Sequence, residues 1–179
     1  MDVQRLEIDG LMVFEPRVFA DARGAFFESF NDAKFREATG FAGQFVQDNQ
    51  SISHKGVLRG LHYQLAPHAQ GKLVRVVAGA AFDVAVDIRK GSPTYGKWAG
   101  VELSAANRKQ FWIPEGFAHG FLALEEGTAF LYKTTDFWHA ASERSIRWDD
   151  QEIGVDWPLD GTPIVSAKDA DAPGLADQA

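Results

Sequence analysis

In Val57-Leu58-Arg59-Gly60-Leu61-His62-Tyr63-Gln64, followed by Gly71-Lys72-Leu73-Val74-Arg75, an imidazole and an ammonium stand on neighbouring stretches that read as β-strands. A histidine exchanges protons near neutral pH because its ordinary pKa is about 6.5. A lysine beside it can hold the negative charge left on an oxygen once a C–H bond has been broken. The two together point to proton abstraction next to a carbonyl.

Such groups act only when a frame holds them, and the frame is written in period-two alternation. In Ala81-Phe82-Asp83-Val84-Ala85-Val86-Asp87-Ile88 the even positions are large and apolar and the odd ones small or acidic. That pattern predicts a strand with one face on a core. Gly24 to Phe30, Leu73 to Val77, Trp98 to Leu103, Gln110 to Ile113, Gly120 to Leu124 and Thr128 to Thr134 read the same way, with turn chemistry at Gly79, Gly91-Ser92-Pro93 and Glu126-Gly127. Many short strands with regular turns predict an all-β sandwich or barrel. One peripheral helix is expected: Asn31 caps it, Asp32 suits its first turn, Phe35 and Ala38 share a face, and Gly40 ends it.

The 179 residues, 45% hydrophobic and 12% aromatic, suit one domain with a sizeable core. That domain is expected over residues 1–171, with a flexible tail over 172–179 where Ala, Asp, Pro and Gly dominate. A formal charge of −7 argues against nucleic acid or an anionic membrane as partner, because both are bound through a basic face. An anionic ligand must therefore meet a local basic cluster. No apolar run of signal-peptide type opens the chain, and Arg75, Asp83 and Asp87 interrupt the apolar stretch from Leu73 to Ile88, so a cytoplasmic protein is expected. With no cysteine there is neither a disulfide framework nor a thiolate metal site.

Pro114-Glu115-Gly116-Phe117-Ala118-His119-Gly120-Phe121 carries a PxGxxH pattern entering a strand and resembles the second motif of the cupin jelly-roll superfamily. In metal-binding cupins the first motif supplies two histidines one residue apart and then a glutamate. Here Gln64 takes the second ligand position, and the cation Lys72 follows on the adjacent strand, where it would repel a metal. His68 has a spacing that could substitute, but it falls in the Pro67 to Gly71 loop and is expected to face solvent. No metal is expected.

The resemblance sharpens over the whole chain. Arg23-Gly24-Ala25-Phe26-Phe27-Glu28, Gln47-Asp48-Asn49-Gln50-Ser51, Leu58 to Gln64, Gly71 to Val76, Phe82 to Arg89, Ile113 to Phe121, Tyr132-Lys133-Thr134-Thr135-Asp136 and Ile146-Arg147-Trp148-Asp149-Asp150 are similar, in order and in spacing, to the dTDP-4-dehydrorhamnose 3,5-epimerase family, from about residue 10 to 171. The resemblance implies a cupin-like jelly roll, a dTDP-4-keto-6-deoxyglucose substrate inverted at C3 and C5, no cofactor, and a homodimer in which an N-terminal strand pairs with the partner's sheet. It implies His62 as base, Asp169 as the carboxylate that fixes its tautomer, Tyr132 as acid on the opposite face and Lys72 as enolate stabiliser. Asp83 and His119 would belong to the substrate pocket. Arg23, Arg59 and Lys168 would meet the pyrophosphate, Glu28, Gln47 and Asn49 the base and sugar, and Phe26 and Trp138 would offer stacking faces. Glu143 also matches a binding position. Phe137-Trp138-His139-Ala140 stands where the family commonly has tyrosines and then Ala-Pro, which implies a changed stacking shelf.

Taken alone, His62 would be a structural or surface histidine, Tyr132 a core aromatic, Lys72 a snorkelling edge residue, Asp169 a solvated turn residue and the arginines partners in exposed salt bridges. The N-terminal third adds Phe26, Phe27, Phe30, Phe35, Phe41 and Phe45, more apolar surface than one helix and an edge strand readily hide, and a partner subunit is expected to cover it. Three other readings share much of this constellation: a 3- or 5-mono-epimerase of a related dTDP-4-keto sugar, a metal-dependent cupin oxygenase using His62, Gln64, His68 and His119, and a non-catalytic sugar-nucleotide binding module.

Overall fold

The computed structural model describes residues 1–178. In chain order its elements are β1 (Asp2–Arg5), β2 (Met12–Glu15), β3 (Val18–Asp21), β4 (Gly24–Phe27), α1 (Asp32–Thr39), β5 (Gln47–Ser53), β6 (Leu58–Gln64) and β7 (Lys72–Ala78). They continue with β8 (Ala80–Asp87), β9 (Trp98–Ser104), β10 (Gln110–Ile113), β11 (Phe117–Ala123), β12 (Thr128–Thr134), β13 (Glu143–Ser145) and α2 (Ala167–Ala170). Two sheets face each other as a jelly roll, one six-stranded in the order β1-β2-β10-β7-β12-β5 and one five-stranded in the order β13-β6-β11-β8-β9. A separate two-stranded hairpin, β3-β4, stands apart from both. The expected all-β barrel is thus present.

The space between the sheets holds the main core, in which Val74, Val76, Phe111, Ile113, Phe121 and Phe130 meet, with Phe121 and Phe130 stacked at 4.0 Å. β8 departs from the one-faced strand expected of it. Its odd residues Ala81 and Ala85 face this interior, while Val84 and Val86 enter a second core with Ile146, Ile153, Trp157 and Leu175 on the outer side of the sheet. Both faces are buried because the chain after β13 folds back over the five-stranded sheet. The small and acidic odd positions leave room inside the barrel.

That fold-back also corrects the expected tail. Ala172 and Leu175 are buried, the Leu175 N–H donates to Asp150 at 2.8 Å, and the Tyr63 hydroxyl donates to Gln178 at 2.6 Å. Burying a leucine contributes about 2 kcal/mol, enough to hold a short segment whose neighbours are polar. Residue 179, the end of the expected tail, lies outside the described residues.

The helix forms as its sequence predicts. Asn31 accepts from the Lys34 N–H, Gly40 closes the end at φ 72°, and Phe35 is the side chain it buries. Phe35 seats on Met12, Phe14, Leu73 and Trp112 of the six-stranded sheet, with Phe30, Phe41 and Phe45 around it. These aromatics are therefore covered within the chain, contrary to the expectation that a partner must cover them. Phe19 and Phe26, on the hairpin, do remain exposed.

Gly60 and Gly120 set the spacing at the site. A Cβ on Gly60 would lie 2.5 Å from the Gly120 Cα, and Gly60 sits at φ 127°, where other residues are strained. This close approach pairs β6 with β11 so that His62 and His119 are register partners.

Candidate functional site

Two adjoining cavities open between the sheets, of about 520 and about 130 Å³, and both are lined by His62, Lys72 and Tyr132. The larger runs on to Arg59, His119, Lys168 and Asp169, the smaller to Gln47, Asn49, Trp138 and Glu143. His62 comes from the five-stranded sheet, whereas Tyr132 and Lys72 come from the six-stranded one, where Lys72 pairs with Thr134. Imidazole and phenol thus approach the cavity from opposite walls.

Asp169 reaches His62 across 107 positions of sequence. Its Oδ1 lies 2.6 Å from His62 Nε2, and its Oδ2 accepts the Gly60 N–H at 3.3 Å. The short helix α2 presents it, with Ser166 Oγ accepting the Asp169 N–H as an N-cap. Burial would raise its pKa, but the His62 hydrogen bond, the His62 charge, the Gly60 N–H and Ser166 together hold the carboxyl below its ordinary value. It is an ionised carboxylate held against the His62 ring.

Lys72 is buried, and its ammonium donates to the His62 carbonyl at 3.4 Å. Desolvation lowers its pKa to about 8, with the charges of Asp83 and Glu143 opposing. It therefore stays mostly charged at neutral pH and loses that charge easily above it. Burial, reinforced by Glu143, raises the Tyr132 pKa against the opposing charge of Arg59, so the phenol keeps its proton. Its hydroxyl has no protein hydrogen-bond partner among the described residues.

His119 lies beside His62 and its Nε2 is 2.7 Å from Asp83 Oδ1. Burial pushes the Asp83 pKa up and the His119 pKa down, while their mutual attraction opposes both shifts. Asp83 sits behind His119 and does not line either cavity; its Oδ2 is buried with no partner among the described residues. Arg59 is exposed at the mouth, donating from Nε to Ser53 Oγ at 3.2 Å. Lys168 bridges to Glu143 at 2.7 Å, joining the edges of the two cavities.

Arg23, Phe26 and Glu28 are not brought to this pocket. Arg23 pairs with Asp21 at 2.6 Å, Phe26 is 72% exposed on the hairpin, and Glu28 pairs with Lys34 at 2.7 Å. Conversely, Ser51, which belongs to none of the expected site residues, lines the larger cavity with a buried hydroxyl that has no partner among the described residues. No sequence signal marks it, because β5 reads as a polar run whose one large apolar residue, Ile52, faces outward.

The four residues of a cupin metal site point to different partners. His62 holds Asp169, His119 holds Asp83, Gln64 binds loop carbonyls, and His68 lies 3.1 Å from Asp136 while stacking on His139, rather than facing solvent freely. Among the described residues no group of three or more His, Cys, Asp or Glu is arranged to hold a metal, and no helix is long and apolar enough to cross a membrane.

Jelly rolls that close over a pocket of this kind make up the cupin-like sugar-nucleotide epimerases, the class in which this fold places the chain. More narrowly, the chain belongs to the dTDP-4-dehydrorhamnose 3,5-epimerase family, whose model matches residues 5–177. It is 57% identical over 177 residues to the dTDP-4-dehydrorhamnose 3,5-epimerase of Pseudomonas aeruginosa, spanning 99% of this chain and 97% of that one. The enzyme of that name from Shigella flexneri is 59% identical over 169 residues, 94% and 93% of the two chains. The crystal structure of dTDP-6-deoxy-D-glucose-3,5-epimerase from Legionella pneumophila Philadelphia 1, in complex with dTDP-4-keto-L-rhamnose, matches with a TM-score of 0.96 at 51% identity over 99% of this chain and 94% of that one.

Proposed function

We propose that this chain inverts C3 and C5 of dTDP-4-keto-6-deoxyglucose, giving dTDP-4-dehydrorhamnose for dTDP-rhamnose biosynthesis in the cytoplasm. The observation that carries the reading is a carboxylate-held histidine and a protonated tyrosine contributed by opposite sheets to one pocket, with a buried ammonium in the same lining. The C4 ketone acidifies the protons on C3 and C5. His62 removes one from one face, and Lys72 stabilises the enolate oxygen that results. Tyr132 returns a proton from the other face, because return from the same side would restore the starting centre. Asp169 steadies the cationic imidazole by its bond to Nε2, which leaves Nδ1 toward the substrate. These proton transfers call for no cofactor.

Arg59 and Lys168 serve the pyrophosphate, while Gln47, Asn49, Glu143, His119 and Trp138 contact the sugar and base. Arg23, Phe26 and Glu28 act from a second copy in a homodimer. Two features support this: the hairpin that carries them stands off its own barrel, and β5 closes the six-stranded sheet with one edge unpaired. A partner's hairpin laid along β5 would bring those three groups beside Gln47 and Asn49.

Incubating the protein with dTDP-4-keto-6-deoxyglucose in heavy water, with and without a chelator, and following both carbons by NMR tests the reading. Exchange at C3 and C5 undiminished by chelation is expected. Exchange at one carbon would make it a mono-epimerase, and exchange at neither would overturn the assignment.

A further inference from the structure

We infer that Gln64 is a positioning residue for this site, clamping two loops together so that Trp138 is held over the pocket. The inference rests on the functional reading above and goes beyond it by assigning a task to the position that metal-binding cupins give to a histidine. Gln64 ends β6 and is buried. Its Nε2 donates to the His68 carbonyl at 2.6 Å and to the Phe137 carbonyl at 3.2 Å, and its Oε1 accepts the His139 N–H at 2.8 Å. Both amide hydrogens and one oxygen lone pair are engaged by backbone.

The loop after β6 and the segment after β12 are thereby joined through one rigid strand end. Trp138, between the two clamped residues, donates its own N–H to Gln47 Oε1 of β5 at 3.1 Å. Three consecutive residues are thus tethered at the backbone by two glutamine amides, one from each sheet. The loops reinforce one another, since Gln70 donates to the Asp136 carbonyl at 2.8 Å and the His68 and His139 rings stack at 4.0 Å.

Trp138 itself is 59% exposed and lines the smaller cavity beside His62 and Tyr132. An exposed indole on an immobilised backbone is a preformed shelf for a flat ring, and fixing it before the ligand arrives removes an ordering cost from binding. Gln64 controls that cost without touching the reacting carbons.

The test is calorimetric binding of dTDP to the full-length protein, to Gln64→Leu, to Trp138→Ala and to the double variant, with KM and kcat for the sugar nucleotide alongside. Gln64→Leu is expected to weaken dTDP binding about tenfold and to raise KM more than it lowers kcat. In the Trp138→Ala background the same change should add nothing, because the shelf is already gone. Unchanged dTDP affinity in Gln64→Leu, or a full tenfold loss on top of Trp138→Ala, would overturn the inference. Should Gln64→Leu not fold, Gln64→Glu, which keeps the acceptor for His139 but sets a carboxylate against two carbonyls, takes its place in the same cycle with the same expected loss. Wild-type protein that fails to bind dTDP would contradict the functional reading itself, and the clamp with it.

Discussion

His62 and His119 are register partners on neighbouring strands, and each meets an aspartate, at 2.6 Å and 2.7 Å. The two pairs nevertheless have opposite electrostatics. Asp169 receives a second donor on its other oxygen, from Gly60, and its pKa is held down; Asp83 has no partner for its other oxygen, and burial drives its pKa up. The His62 side chain is 31% exposed toward the cavity, whereas that of His119 is 8% exposed. The same two residue types therefore make a pair open to the cavity in one place and a pair nearly closed off from water in the other. What distinguishes them is the exposure of the imidazole and the second oxygen of the carboxylate.

Breaking the first pair should have the largest effect. His62→Ala removes the base and is expected to slow exchange at both carbons by about 10³-fold or more, while dTDP still binds, as calorimetry on the same sample would show. Near wild-type exchange would remove His62 from its role. Asp169→Asn keeps the shape but not the charge, and should lower turnover by about 10²-fold with little change in KM. Steady-state kinetics separate the two quantities, and a change confined to KM would make Asp169 a binding group instead.

The second pair should answer in stability. His119→Ala leaves Asp83 buried without the one side-chain hydrogen-bond partner it has among the described residues, and breaking such a pair costs about 3 kcal/mol. Urea unfolding should show a loss of that order, well above the loss for His62→Ala, where the removed side chain is 31% exposed and Asp169 keeps the Gly60 N–H. Equal losses would mean that exposure does not separate the pairs.

The smallest expected effect is a shift in the pH profile. In the proposed role Lys72 holds the enolate oxygen only while protonated, so turnover should fall as pH rises through about 8, a range in which Tyr132, with its raised pKa, keeps its proton. The Asp83 charge supports the ammonium, so Asp83→Asn should move that alkaline limb to lower pH. A limb that stays in place would show that Asp83 does not act through Lys72.

Much of this was legible in the chain. The alternation through β7, β8 and β12 and the caps at Asn31 and Gly40 are local signals, and they became the elements they predict. His62 and Lys72 could be paired from neighbouring strand patterns. Asp169 could not be derived in this way, since it lies in a polar run far from His62 and only the family resemblance singled it out. The packing of the last residues was hidden because the segment after Asp171 is dominated by Ala, Asp, Pro and Gly, a composition that reads as disorder, and Leu175 is its only large apolar side chain. The hairpin holding Arg23, Phe26 and Glu28 is likewise visible as sequence, but its distance from the pocket belongs to tertiary structure.

Acid and base on opposite walls of the pocket make Tyr132→Phe the decisive variant. The variant keeps the ring in place and removes one oxygen, leaving His62 and Lys72 intact. Deuterium incorporation and product configuration are measured on one sample in heavy water. Continued solvent exchange with net inversion reduced by about 10²-fold is the expected result, because His62 can still remove a proton and return one from the same side. Full inversion by the phenylalanine variant would contradict this placement and move the acid's role to water or to another side chain.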